Sequence, residues 1–391
     1  MRTITNEERR ARLAVRHHLV SPATTVGEAA GSMVGLHASD PATVYLSARA
    51  RIPGLKRDDV EAALYDQKSV ARILGMRRTM FVVPRDLIPV LHHSSTVALM
   101  AAERRRAADM VEKAGIARDG VAWVDEISRR TLEALRARGE AVATELTEDV
   151  PELREKITFH KKDGSVLTTV GMSTRILFLL AAEGKIVRGR PKGSWVSSLY
   201  RWVPMEQWLG SPIETIERGR AQTLLVGRWL RTFGPGTELD IKWWTGWPVT
   251  QVRRALAEIG AVDVEVESGP AYVLPDDLEP AAPVGPWVNM LPSLDPTTMG
   301  WKERDWYLGP HYPLLFDRNG NAGQTIWVDG RVVGGWGQSR SGEMKWELLE
   351  DVGSGALAEI ESQAQQLSEW LGDSVVIPRF PSASDKDLGR R

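Results

Sequence analysis

The most restrictive feature of this sequence is an order of elements that recurs: short helices, then two alternating strands. It is plainest over residues 221–274. Residues 221–233 repeat apolar positions at helical spacing, Gly234-Pro235-Gly236 interrupts them, and 238–245 and 248–259 supply two further helices. Thr250 opens the last of these, which carries Gln251, Arg253 and Arg254, and 261–266 with 271–274 alternate as a strand pair. The same order appears earlier, as a helix over 124–137 stopped by Gly139, a short helix over 141–146, a helix over 173–182 and a hairpin over 184–203. A looser copy opens the chain, with helices over 5–20, 25–34 and 55–64 before strands over 69–74 and 75–84. Thr25 is placed to cap the second of these, with Glu28 as its capping-box partner. Three helices and a β-hairpin are the order of a winged helix-turn-helix.

After the linker Glu279-Pro280-Ala281-Ala282-Pro283 the period changes to short strands over 287–291, 313–316, 324–328, 331–336 and 343–349, with an amphipathic helix over 356–371. Asn319-Gly320 and Asp329-Gly330 are two-residue hairpin turns. The expected fold is therefore α+β: a winged helix over 1–85, a helical connector over 86–122, winged helices over 123–209 and 213–277, a β-barrel-like unit closed by a helix over 284–380, and a flexible tail over 381–391. A chain of 391 residues is long enough for several such units.

Composition removes much chemistry. There is no cysteine, hence no disulfide, thiolate metal site or cysteine nucleophile, which suits a reducing cytoplasm. The histidines have no metal-ligand spacing, and phosphate-loop, dinucleotide and G-x-S-x-G motifs are missing, so neither metal nor cofactor is expected. No apolar run is long enough to span a bilayer, and Met1 to Arg16 is charged without a following apolar core, so neither membrane nor signal peptide is expected. A formal charge of −1 gives no whole-chain case for nucleic acid; any basic footprint must be local.

Two places carry the chemistry that remains. The first is the polar island Gly35-Leu36-His37-Ala38-Ser39-Asp40-Pro41, which puts an imidazole, a hydroxyl and a carboxylate within four residues. Asp40 or Ser39 there also has the position of an N-cap for a helix entered through Pro41. The second is a basic cluster around the middle hairpin, Lys161, Lys162, Arg175, Lys185, Arg188, Arg190, Lys192 and Arg201, with Trp195 and Tyr200 beside it. On a wing, such side chains suit phosphate contacts and approach to a minor groove; on a plain hairpin they are a solvated face. Arg77, Arg78 and Thr79 are further phosphate candidates near the island. Arg104-Arg105-Arg106 reads as a solvated helix face, and Asp295 as a turn cap.

The stretches GLHASDPATVYLSARAR, GKIVRGRPKGSW followed by YRW, RTFGPGTELDIKWWTG, LPSLDP and VDGRVVGGW, in this order, resemble the winged-helix DNA glycosylases of the AlkZ and YcaQ type. These release bulky alkylpurines and unhook interstrand crosslinks. The resemblance runs over nearly the whole chain and implies three tandem winged helices arranged as a C, a C-terminal β-barrel, and duplex DNA in the concave channel. Where that family has glutamine-x-glutamine or glutamine-x-aspartate, this chain has His37-Ala38-Ser39, with a carboxylate one residue later at Asp40.

A guanine alkylated at N7 already carries positive charge, so its glycosidic bond breaks without a strong acid. Neutral His37 is suited to orient or deprotonate the water, Ser39 to hold it, and Asp40 to steady the sugar cation. The expected function is a monofunctional, monomeric glycosylase working without a cofactor in the cytoplasm at the nucleoid. The alternative is a DNA-binding protein, a regulator or damage shield, that kept the channel and lost the chemistry.

Overall fold

A computed structural model describes residues 1–161 and 163–390. Lys162 of the basic cluster and Arg391 at the end of the tail lie outside the described residues. The chain is a mixture of helix (47%) and strand (18%), so it is α and β in one body and not an all-helical array.

The first stretch begins with a strand, Arg2–Thr3, that lies parallel to Val262–Val266 far along the chain. Thr5 then caps the Asn6–Arg16 helix, which buries Arg9, Arg12 and Leu13. The helix stops four residues before the predicted end, because His18 takes a positive φ and His17 turns inward. Thr25 caps Val26–Ser32 as expected, but Glu28 reaches back to the amide of Thr24 instead of Thr25. Pro41–Arg49 and Arg57–Glu61 follow, and then the strands Val70–Leu74 and Met80–Pro84.

The middle of the chain has its own apolar core, in which Val124, Ile127 and Leu135 of the Gly120–Arg138 helix meet Ile176 and Leu180 of Met172–Ala182. Between Ala143–Asp149 and Met172–Ala182 lies a hairpin, Lys156–His160 with Val166–Gly171, that alternation did not reveal. The next hairpin, Ile186–Pro191 with Tyr200–Pro204, does not stand alone. It joins Val70–Leu74 through one register pair, Arg72 opposite Arg188, to make a five-stranded sheet.

The third stretch matches its expected order closely. Arg218–Phe233, Glu238–Thr245 and Val249–Ile259 lead into Val262–Val266 and Gly269–Val273. Gly236 is required at the loop between the first two helices, since a Cβ there would stand 2.2 Å from the Trp229 ring.

The C-terminal part departs from expectation in three ways. Its strands Val288–Leu291, Thr325–Val328, Arg331–Gln338 and Met344–Leu348 form an open antiparallel sheet, and no closed barrel is found among the described residues. The strand expected at 313–316 is instead a helical turn, Tyr312–Leu315, because Pro313 fixes a helical φ at its first turn and lacks the N–H a ladder needs. The tail expected to be flexible contains a helix, Ala383–Leu388, held by a Ser382–Asp385 capping box with Asp385 and Leu388 buried. The Gly353–Leu371 helix covers one face of the sheet. Asp329 and Gly330 both take positive φ, as a tight hairpin turn demands.

Candidate active site

The polar island hangs on the edge of the five-stranded sheet. Val34 and Gly35 both take positive φ, at +55° and +119°, and so reverse the chain out of Val26–Ser32. A side chain at Gly35 would also strike Val83 at 2.8 Å, so glycine is required twice over. The two-residue strand Leu36–His37 then pairs with Phe81 and Val82, and Ala38 N donates to Met80 O at 2.8 Å.

His37 is thereby fixed before its chemistry is considered. It is only 8% exposed, with its ring edge-on to Phe81 at 5.6 Å. Burial, and then the positive charge of Arg77, push its pKa down to about 3, against a small opposing pull from Asp295. The imidazole is neutral across the physiological range. Ser39 N approaches Nδ1 in a long contact of 3.5 Å, which puts the ring proton on Nε2 and makes that nitrogen a donor.

Asp40 caps Pro41–Arg49 through Ala42 N at 3.0 Å, and its other oxygen accepts from Arg379 N at 2.8 Å. Both oxygens are engaged by backbone N–H groups. Burial raises its pKa above the usual carboxylate value, while those two N–H groups pull the other way. Ser39 is half-buried between these two residues, and its carbonyl faces the Arg379 guanidinium at 3.4 Å.

The far end of the same helix is clamped to the LPSLDP loop. Arg51 and Asp295 are both fully buried and paired through two contacts, at 2.8 and 2.9 Å, and Ser47 Oγ donates to Asp295 at 2.6 Å. Burial alone would raise the Asp295 pKa, but the Arg51 charge and the bonds from Arg51, Ser47 and Thr297 hold it below the usual range. Asp295 thus caps its turn, through Thr297 N at 2.9 Å, and also anchors the island's helix.

Arg72 is the functional candidate that sequence reading missed. It is 1% exposed, donates to Ala38 O in the middle of the motif at 3.1 Å, and lies 4.7 Å from the Tyr200 ring. Arg188 packs on the same ring at 5.2 Å. The signal was present: Val70-Ala71-Arg72-Ile73-Leu74 is an apolar strand with one charge inside it, and a charge buried there needs a task or a partner.

The predicted DNA-contacting residues are not brought together on one basic tip. Trp195 is buried against Tyr45 and Trp370, with its Nε1 directed to Ser374, so it is a packing residue. Arg188 is turned inward beside Arg72, because Tyr200 and Trp202 offer it two ring faces. Four others are paired with acids: Arg190 with Glu61 and Asp66, Arg201 with Glu140 and Glu145, Lys185 with Glu183, and Arg78 with Glu103. Arg175 is likewise paired with Glu103. Lys192 and Lys161 are exposed and form no ion pair among the described residues. Arg77 lies 4.3 Å over the Trp243 ring, with its charge felt at His37. Of the arginine triple, Arg104 bridges Asp125 and Glu183, which ties helices together instead of facing solvent.

Among the described residues no cluster of three His, Asp or Glu side chains is placed to hold a metal, and no helix is long and apolar enough to cross a membrane. No curated protein sequence matches the chain. The fold is similar to that of a solved structure, the Streptomyces sahachiroi DNA glycosylase AlkZ, at a TM-score of 0.73 and 19% identity, over 94% of this chain and 98% of that one. The family model for AlkZ-like DNA glycosylases matches residues 30–370, a span that includes the island, its clamp and the open sheet, and the chain belongs to that family.

Proposed function

We propose that this DNA glycosylase hydrolyses the N-glycosidic bond of bulky, cationic alkylpurines of the N7-alkylguanine type in duplex DNA. The observation that carries the reading is the neutral, desolvated His37 on a fixed strand edge beside Ser39 and Asp40. An imidazole with a pKa of about 3 cannot protonate a leaving base at neutral pH. Its site therefore suits a base that needs no proton, one whose alkyl group has already made it a cation.

In the reaction the C1′–N9 electron pair returns to the purine and cancels its positive charge, while the sugar becomes oxocarbenium-like. His37 Nε2–H donates to one lone pair of the attacking water and orients it, Ser39 holds the same water, and the proton that the water loses on bonding C1′ passes to solvent. Asp40, fixed by two N–H groups, offsets the charge on the sugar across the gap. Arg72 holds the Ala38 carbonyl and so fixes the spacing of the motif. The recurring helix and hairpin units act as tandem winged helices, and one chain supplies the whole DNA surface as a monomer.

A second reading, a DNA-binding protein without chemistry, is favoured by one fact: both Asp40 oxygens already have backbone partners. Incubating the protein with duplex DNA containing N7-methylguanine, then cleaving abasic sites with heat or base, separates the two. Strand breaks at the lesion in excess of an enzyme-free control treated in the same way support the glycosylase; binding without such an excess, on small and bulky N7 adducts alike, supports the shield.

A further inference from the structure

A cleft of about 580 Å³ lies outside the island, walled by the Asn6–Arg16 helix, the turn at Glu267 and Ser268, and residues 302–312. Arg9, Arg10, Lys302 and Arg304 all line it. Among the described residues none of the four forms an ion pair with a carboxylate, in a protein where about half of the arginines do. Arg9 and Arg304 are only 3% and 5% exposed. Burying a guanidinium without an acid in contact is costly; Asp240 and Glu303 act on Arg9 only from beyond ion-pair distance, the Asp240 oxygens being taken by the N–H groups of Thr237, Lys302 and Glu303, and rings supply the direct contacts. Arg9 lies 4.1 Å over Trp306, and Arg304 lies 4.5 Å over Phe316 and 4.7 Å over Trp243.

Ring stacking fixes a guanidinium in place but leaves its N–H edge unspent. Arg9 Nε and Nη2, Arg304 Nη2 and Trp306 Nε1 have no protein acceptor. The carboxylates nearby do not fill the role: Glu303 accepts from Thr237 at 2.8 Å, Glu267 from Asn6, and Asp305 is exposed at the mouth. Burial lowers the Arg9 pKa to about 10, which leaves it charged at neutral pH.

We propose that this cleft is an oxyanion site that holds one phosphate group, with Arg10 and Lys302 as its accessible cations and Arg9 and Arg304 as the fixed charges behind them. Its position suggests the source. Trp243 carries Arg304 near it at 4.7 Å and Arg77 at 4.3 Å, and the Arg77 charge acts on His37. The cleft thus shares Trp243 with Arg77, and the phosphate assigned to it is a backbone phosphate of duplex DNA. That assignment of the source rests on the glycosylase reading; the site itself does not.

The test uses inorganic phosphate first and undamaged duplex DNA second, so that it needs no excision. Melting of the full-length protein in phosphate is compared with melting in chloride at equal ionic strength. Wild type should show a saturable rise in Tm that is lost in Arg9→Gln and in Lys302→Gln, the latter an exposed rim residue whose loss leaves the fold intact. In duplex titrations both variants should lower the slope of log K against log salt by about one. Phosphate binding with an unchanged DNA slope would support the oxyanion site and overturn DNA as its source. No effect of phosphate beyond that of chloride, with wild-type slopes in both variants, would overturn the site. Wild-type protein that binds phosphate yet excises no alkylpurine sinks the glycosylase reading and leaves the site standing.

Discussion

At the scale of single residues, the fold keeps several histidines uncharged. His37 and His17 are both pushed down to about 3 by burial, and His92 to about 4 by burial and by His93. A neutral His37 has nothing to titrate between pH 5 and 8, so the single-turnover rate of excision should be flat there, with no inflection near 6.5. A bell or step centred near 6.5 would mean that the imidazole works as an acid and base at its ordinary pKa. The same depression sets acid stability. Above pH 6.5 these histidines are neutral in both folded and unfolded chains; below it the unfolded chain takes up protons that the folded one refuses. Stability is therefore lost as pH falls from 6.5 toward 3, by roughly 2 kcal/mol at pH 5 for each of His17 and His37. Urea melts at pH 7.5 and 5 check this. The buried Arg51–Asp295 pair gives a second test, because removing one partner strands the other charge. Arg51→Met should cost about 3–5 kcal/mol in the same melts, while exposed Arg129→Met, in an ion pair at the surface, should leave them nearly unchanged.

At the scale of elements, the island is placed by a reversal that tolerates little change. Gly35→Ala adds a methyl at φ +119° and 2.8 Å from Val83, so it should destabilise by about 1–3 kcal/mol and slow excision more than DNA binding, since His37 is two residues away. Wild-type excision and melting in that variant would mean that the reversal does not set the motif. Elements of this kind differ in how openly the sequence announces them. The Glu238–Thr245 and Val249–Ile259 helices were legible because Thr237 caps the first and Gly246 and Gly260 end the two in left-handed turns. The hairpin strands Lys156–His160 and Val166–Gly171 were not, because Val166 and Leu167 are 59% and 60% exposed and no buried face imposes a period of two. The 313–316 segment misled through its apolar run, although Pro313 argued against a strand. Asp40 was legible as a cap from Asp-Pro alone, whereas the Arg379 amide that holds its second oxygen is 339 residues away.

At the scale of the whole molecule, what local pattern cannot supply is pairing between distant parts. The strand over Arg2–Thr3, the five-stranded sheet joined at Arg72 and Arg188, and the clamp from Arg51 to Asp295 all depend on residues far apart in sequence. For the same reason the basic cluster looked like a wing tip: composition counts Arg188, Arg190 and Arg201, but not the acids and rings that occupy them. The unpaired basic surface is thus more dilute than composition implied; if it meets DNA as proposed, Lys192→Ala should weaken binding to every duplex alike and lower the salt slope by about one, while Arg188→Ala should act mainly on stability. With one chain supplying that surface, sizing at micromolar concentration should give a monomer; a tight dimer with a palindromic preferred site would point to the regulator.

The central claim is that His37 orients the water that displaces an alkylpurine already carrying its own charge. Single-turnover release of a bulky N7-alkylguanine from one duplex, by wild type and by His37→Ala prepared in parallel, is the deciding measurement. Wild type should release the base, His37→Ala should do so at a rate lower by roughly ten- to a thousandfold, and melting and DNA affinity should change little. Equal rates from a folded His37→Ala protein would contradict it.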